Sequence, residues 1–587
     1  MLSRLKKISN ANSSQYNIID INWIIKASLL FLIVISQTST IHANSFYVST
    51  TATASGNGSF GNPWQLQTAL NHPAALHPGD TVWIRGGVYT NTFDSQTSFS
   101  CRTNGTANAP IIFRNYNNER ATIDGQLTYS LYVGLGNCSY TWFWGLEVTN
   151  SKSTDRNHDI YGSVTCTAEN IKFINMIVHD TGSGLDCWKT AKNSETYGCI
   201  IYHIGNNLNN NGNLEGHGHG MYIQNDTIGT KIIHNNIVFS TYGYGVKIWQ
   251  TTTTAPLGNF DIQKNIVFNG GSASENLGGV GNNSRTHNFF VVSNGPNNPV
   301  VNTVIKHNYT FAGTNTPRPP VNAFGLNYGV RNMILDSNYL ACQTRLGFNN
   351  TPVFDASVNG NTILGGIPSV YGYYLWGFTQ TDFPNNTYIS EIPQTGLDYF
   401  LIPNKYEAGR GHLVIYNWDS LESVVVDISN LGLNPGDEFE LVNVLDYFND
   451  IVTETYQSNG ILNVKMIGHS LCSSIGSNQV PVSQFPKFGV FVIRKKDKHV
   501  TTELEEVTKT QEVTIAPNPS TGKFRIHIEG NPSSMSIYNL LGKEILIIDN
   551  TTLPKELEID LTDFTKGIYF LKLKYKNSFQ SIKIIIQ

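Results

Sequence analysis

The sequence predicts an all-β chain whose main body is a solenoid of stacked parallel strands. Two repeats and the composition carry this. The pattern Gly-apolar-x-apolar-x occurs three times, as Gly184-Leu185-Asp186-Cys187-Trp188, Gly220-Met221-Tyr222-Ile223-Gln224 and Gly245-Val246-Lys247-Ile248-Trp249. A looser repeat runs through Asn236-Ile-Val-Phe, Asn265-Ile-Val-Phe, Asn308-Tyr-Thr-Phe, Asn338-Tyr-Leu and Asn361-Thr-Ile-Leu, each with an apolar residue three positions before the Asn. Gly145-Leu-Glu-Val, Met176-Ile-Val-His and Cys199-Ile-Ile-Tyr fit the same frame. Starting positions differ by 23 to 43 residues, so coils of similar core length carry loops of variable length. Only 14% of the 587 residues are charged, against roughly 25% in an average soluble protein. Such a polar, weakly charged surface is common among secreted β proteins. The formal net charge of −4 supplies no basic field and argues against nucleic acid.

In chain order, Arg4, Lys6, Lys7 and Lys26 precede the apolar run Ala27–Ile35, followed by small and polar residues to Ala43. Residues 1–43 therefore read as a secretory signal. A membrane anchor is the alternative, but spanning takes about 20 apolar residues. Residues 44–120 hold Phe46-Tyr-Val, a short helix over Gln65–Leu70, and Pro78-Gly-Asp-Thr-Val, where a turn launches an alternating strand. Seven cysteines without a CxxC pair do not indicate zinc. Cys187 and Cys199 read as buried small hydrophobes, and Cys101 with Cys138 as a candidate disulfide.

Pro78-Gly-Asp-Thr-Val, Gly87-Val-Tyr89, Ala109-Pro-Ile-Ile-Phe113 and Ala121-Thr-Ile-Asp-Gly125 together resemble the opening of right-handed parallel β-helix proteins of the pectate-lyase-like superfamily. The resemblance implies a right-handed parallel β-helix, here over residues 44–394, whose open end is capped by a short helix. It also implies polysaccharide substrates lying across one sheet, with β-elimination or hydrolysis as the usual reactions. The five Asn read as a ladder of turn side chains bonding to the next coil, without a catalytic role.

The three glycine-led segments build the candidate site. Alternation points Leu185/Cys187, Met221/Ile223 and Val246/Ile248 inward. Stacked in register, the outward columns read Asp186, Tyr222, Lys247 and Trp188, Gln224, Trp249, preceded by Ser183, His219, Tyr244 and by Thr181, His217, Tyr242. For elimination, Lys247 is base or carboxylate neutraliser, and Tyr222, His219 or Tyr244 is acid or base. Asp186, with Asp180, would hold a Ca²⁺ in place of the cation, as the resemblance implies for many lyases, although the usual cluster of acids is missing. For hydrolysis, Asp186 needs a second carboxylate about 5–9 Å away, and Glu215, Asp180 and Asp226 are the candidates. Trp188, Trp249, Gln224, His217 and Glu215 are the expected substrate-binding residues. Against this stand plainer roles: histidines capping strand ends, tyrosines and a lysine dressing a sheet. Two outward tryptophans are the hardest to leave without a ligand, unless a loop covers them. The insertions Gly205–Gly216 and Ser272–Pro296 cannot form core strands and are expected as groove walls.

From about Gln394 the chain changes to alternating strands separated by turns, a β-sandwich over residues 395–496 expected to pack on the end of the solenoid. Residues 497–511 are charged and polar, a linker. Ile515-Ala-Pro-Asn-Pro-Ser-Thr-Gly, Tyr538-Asn-Leu-Leu-Gly and Gly567-Ile-Tyr resemble the type A sorting domain of the type IX secretion system, over residues 512–587. That resemblance implies a small β-sandwich, handling by the secretion machinery, and export across an outer membrane to a secreted or cell-surface location. The sequence thus reads as a secreted monomeric polysaccharide lyase acting on a uronate-containing chain. A glycoside hydrolase and a non-catalytic glycan-binding adhesin are the alternatives.

Overall fold

The structure is a computed structural model. It describes residues 43–91, 96–208, 214–249, 256–274, 286–293, 298–313, 320–326, 329–347, 355–365, 375–479, 481, 483–496, 513–529, 531–539, 543–549, 553–575 and 579–587. The expected signal segment, up to residue 42, and the expected linker 497–511 lie outside these. Two compact units result, Met1–Asp497 and Lys498–Gln587.

In the first unit each complete coil gives one short strand to each of three parallel sheets. One coil supplies Lys172–Ile174 to the second sheet, Ile177–His179 to the third and Leu185–Cys187 to the first. Inward residues of successive coils stack on one another. Phe113, Phe143 and Phe173 form such a column, with ring centroids 5.6 and 5.7 Å apart. The helix Leu66–Leu70 buries Leu66, Ala69 and Leu70 at the N-terminal end, and Gln67 exchanges hydrogen bonds with both backbone groups of Ser100. It supplies the cover that a first coil, having no preceding neighbour, requires.

The corner between the second and third sheets is a tight turn through a left-handed residue. Asn235, Lys264, His307 and Ser337 have φ between 53° and 59°, and Gly360 follows at 67°. Immediately after each comes a rung of the asparagine ladder. Asn236 Nδ2 donates to Asn265 Oδ1 at 2.9 Å, Asn265 to Asn308 at 2.9 Å, Asn308 to Asn338 at 2.9 Å and Asn338 to Asn361 at 2.8 Å. Each Oδ1 also accepts the backbone N–H of the preceding coil, as from Asn265 to Asn308 at 3.0 Å. Asn386 adds a further rung, accepting from Asn361 at 2.8 Å. Gly145 stands one residue earlier than its repeat suggested. It occupies the left-handed position itself, φ 67°, and Glu147 pairs with Ile177.

The β-sandwich pairs a five-stranded antiparallel sheet with the ribbon Ser423–Asp427 and Ile461–Lys465. Its inner core includes Leu413, Ile415, Val464 and Phe491. It lies along the flank of the solenoid rather than on its end. The strand Arg410–Asn417 is buried throughout, because its second face meets the outer face of the third solenoid sheet. Tyr202, Phe239 and Phe268 stack there at 5.1 and 5.0 Å. Phe488 of the sandwich lies 4.1 Å from Phe311 in the same shared core. Polar ties join them: Tyr416 donates to the Thr310 carbonyl at 3.0 Å, and Arg156 to that of Ile475 at 2.7 Å.

The second unit has sheets of three and four antiparallel strands enclosing one core that includes Phe524, Ile537 and Tyr569. Among the described residues no helix is long and apolar enough to cross a membrane.

Candidate functional site

The outward face of the first sheet brings the glycine-led segments into strict register. Asp186 pairs with Tyr222 and Tyr222 with Lys247, while Leu185, Met221 and Val246 form the inward column beside them. Glycine is required at the head of each strand by close packing. A Cβ on Gly184 would meet the Gly220 carbonyl at 2.1 Å, and one on Gly220 the Gly245 carbonyl at 2.7 Å.

Lys247 is the centre of the face. Its ammonium lies over the rings of Tyr222, Tyr244 and Trp249 at 5.3, 4.8 and 4.8 Å, a set of π faces that favours the charged form. Its Nζ is 3.5 Å from His219 Nε2. The His219 ring lies 5.3 Å from that of Tyr222 and 5.4 Å from that of Tyr244, with His217 beyond it at 5.9 Å. The Tyr222 phenol accepts a hydrogen bond from Gln224 Nε2 at 2.9 Å, which leaves its own O–H to donate elsewhere. Burial raises the Tyr222 pKa, the Gln224 hydrogen bond opposes this, and the Asp186 charge adds to it. Asp186 accepts from Ser183 Oγ at 2.7 Å, yet burial outweighs that bond and pushes its pKa up to about 7.

The tryptophans differ. Trp188 is 39% exposed, its ring edge-on to Tyr222 at 5.6 Å. Trp249 is half-buried against Phe290, Val292 and Ala323. A strand of the next coil covers it, His287–Val292, paired in parallel with Tyr244–Ile248. This strand lies inside the stretch Ser272–Pro296 expected to hold no core strand. Asn288 stands where a glycine led the others, but Phe289 and Val291 alternate and are fully buried. That alternation was the available signal. The strand adds Phe290 beside Lys247 and His287, whose ring is 5.2 Å from that of Tyr244. Burial, then the charges of Arg345 and Lys247, lower the His287 pKa to about 3.

Asp180 belongs elsewhere. Its Oδ1 receives Arg156 Nη2 at 2.5 Å and the Ile475 N–H at 2.8 Å, and its Oδ2 meets His179 Nδ1 at 2.8 Å. Burial would raise its pKa, but the His179 bond and the charges of His203, His179 and Arg156 hold it below the ordinary value. With both oxygens committed, Asp180 is a tie to the sandwich rather than a cation ligand or second catalytic acid. Tyr242 likewise turns away from the face, its hydroxyl 2.7 Å from Ser474 Oγ. Asp226 lies in a turn, accepting from the Ile228 N–H at 2.8 Å.

The insertion after Gly205 forms an antiparallel pair, Asn206–Leu208 with Leu214–His217. The side chain of Glu215 lies outside the described residues. Among the described residues no three His, Cys, Asp or Glu side chains converge to hold a metal ion. All seven cysteines are free thiols. Cys101 and Cys138, the expected disulfide, touch at 3.8 Å between sulfurs.

Residues 46–185 match the family model described as Pel9A-like, right handed beta helix region. The opening coils of the solenoid are therefore similar to that region. Pectate lyase PEL9 of Emericella nidulans is 36% identical over 85 residues, 14% of this chain and 19% of that relative's length, so the match spans about a fifth of it. The crystal structure of pectate lyase Pel9A is 18% identical, covering 54% of this chain and 79% of that one, with a TM-score of 0.36. A rhamnogalacturonan lyase is 14% identical over 59% of this chain and 87% of its own, with a TM-score of 0.43. Residues 514–587 match the secretion system C-terminal sorting domain. The sorting domain marks the chain for export by the type IX route to a secreted or cell-surface location.

Proposed function

We propose that the protein is a polysaccharide lyase that cleaves a uronate-containing chain by β-elimination across the first sheet. One observation carries the reading: a lysine ammonium held over three aromatic faces and 3.5 Å from an imidazole nitrogen, beside a tyrosine whose hydroxyl hydrogen points away from its amide partner.

Elimination needs a cation for the uronate carboxylate, a base for the proton on the adjacent carbon and an acid for the leaving oxygen. Lys247 takes the carboxylate. In the free protein its Nζ lies 3.5 Å from His219 Nε2, which in the Nδ1–H tautomer turns its lone pair to the ammonium. Turning to the carboxylate releases that lone pair, which accepts the C5 proton. The C5–H electron pair becomes the C4=C5 double bond as the C4–O bond breaks, and Tyr222 donates its proton to the departing oxygen. Burial keeps the Tyr222 phenol protonated until then. Trp188 and Tyr244 offer ring faces to neighbouring sugars.

The test is ultraviolet absorbance of unsaturated uronate ends when the chain from Asn44 onward is incubated with pectate, alginate and glycosaminoglycans, with and without calcium. Absorbance lost in Lys247→Ala is the expected result. Saturated reducing ends would instead favour hydrolysis, for which Asp186 at about 7 is suited as general acid. Neither product would leave a glycan-binding protein.

A further inference from the structure

The second sheet carries its own aromatic column, on a different sheet from the groove. Tyr47 pairs with Trp83, Trp83 with Arg114 and Arg114 with Trp144, all pointing outward from successive coils. The Arg114 guanidinium lies between two indoles, 5.2 Å from Trp83 and 4.3 Å from Trp144. Towards the capped end Phe60 and Tyr116 widen the strip, their rings 5.1 and 5.7 Å from that of Tyr47. Phe60 is 50% exposed, with Arg85 over its ring at 4.9 Å.

The far end of this column shows what protein does with such a surface when it covers it. There the sandwich lays Tyr406 against Trp144 at 5.5 Å, and Glu407 accepts the Trp144 indole N–H at 2.5 Å. The near end keeps the same aromatic rows, adds cations and carries an exposed ring. Glu119, the acid beside them, is already committed to the Gly86 N–H at 2.6 Å.

We propose that Phe60, Trp83 and Tyr116, with Arg85 and Arg114, form a second binding surface for an acidic polysaccharide. Flat apolar ring faces suit the C–H faces of pyranoses, and guanidiniums suit carboxylates, which they meet through paired N–H donors. A neutral glycan would use the rings and leave Arg85, whose guanidinium lies over the Phe60 ring, without a carboxylate to meet. The inference borrows from the proposed function only the class of polymer. It requires no chemistry in the groove, and it gives the protein a hold on the polymer independent of cleavage.

The test is native electrophoresis of the full chain through gels containing polygalacturonate, alginate or neutral galactan, in a Lys247→Ala background that prevents cleavage. Acidic polymers are expected to retard migration, and Phe60→Ser with Arg85→Gln to weaken that retardation about tenfold. Neutral galactan should have little effect. Undiminished retardation of the double variant, or equal retardation by galactan, would overturn the proposal. Arg85→Glu alone removes the cation without touching a ring, and must weaken retardation even if the double variant folds poorly. Should wild-type protein release no unsaturated ends while retardation still depends on Phe60 and Arg85, the groove reading fails and this surface stands.

Discussion

The outer faces of the first and third sheets are made from similar material and have opposite fates. Both carry aromatic columns on adjacent coils. On the third sheet Tyr202, Phe239, Phe268 and Phe311 vanish beneath the sandwich, into a core shared with Tyr416 and Phe488. On the first sheet Tyr222, Tyr244 and Trp188 stay partly open and surround a lysine, a histidine and a carboxyl with a raised pKa. Aromatic columns alone do not mark a ligand site. The distinction comes from what lies over the rings: the sandwich covers the third-sheet stack, whereas on the first sheet the lysine, the histidine and the carboxyl sit among rings that stay partly open.

The largest effect that would sharpen this contrast is catalytic. Lys247→Ala should lower the rate of unsaturated product formation by about 10²–10⁴-fold, with an unchanged thermal midpoint; a rate within threefold of wild type would remove Lys247 from the chemistry. On the covered face the converse is expected. Phe488→Ala should cost about 3–5 kcal/mol of stability by denaturant titration, with activity per folded molecule retained.

Asp186 tests whether the open face is strained for use. Its folded pKa, about 7 against an ordinary 3.8, means that between those values the folded state binds more protons than the unfolded one. Stability therefore falls as pH rises from 4 to 7. Asp186→Asn should raise stability at pH 8 by on the order of a few kcal/mol and change it little at pH 3.5. A pH-independent difference would mean that burial of the charge is not the cause. Smallest is Asn308→Ala, which removes one ladder rung and leaves neighbouring amide groups unpaired. A loss of about 1–3 kcal/mol is expected in urea unfolding, with the groove activity unaltered.

The column Asp186–Tyr222–Lys247 was legible because two short-range rules coincide there: alternation sets each face, and a glycine packed against the next coil sets the register. The asparagine ladder was legible for the same reason, since its rung sits one residue after a left-handed turn. His287–Val292 escaped because Asn288 replaces the glycine and the strand emerges from a Gly/Asn-rich stretch. The tie of Asp180 to the sandwich was hidden because two of its partners are distant in sequence. Arg156 is 24 residues away and Ile475 is 295, and no local pattern announces a carboxylate that a second layer will claim. The flank docking of the sandwich was hidden likewise, since an outward apolar column looks the same whether its partner is a ligand or a later segment of the chain.

The asparagine ladder also governs where this architecture can change. Each rung must meet the next across a single coil step, so an extra residue at that corner would break two hydrogen bonds and displace every coil beyond it. Length variation is thereby pushed to other corners, and the hairpin after Gly205 lies at the one between the third and first sheets. The ladder is a fixed spine opposite an editable rim. Loops bordering the groove can be exchanged, lengthened or grafted without re-registering the sheet that holds Lys247, which makes specificity separable from scaffold in this molecule.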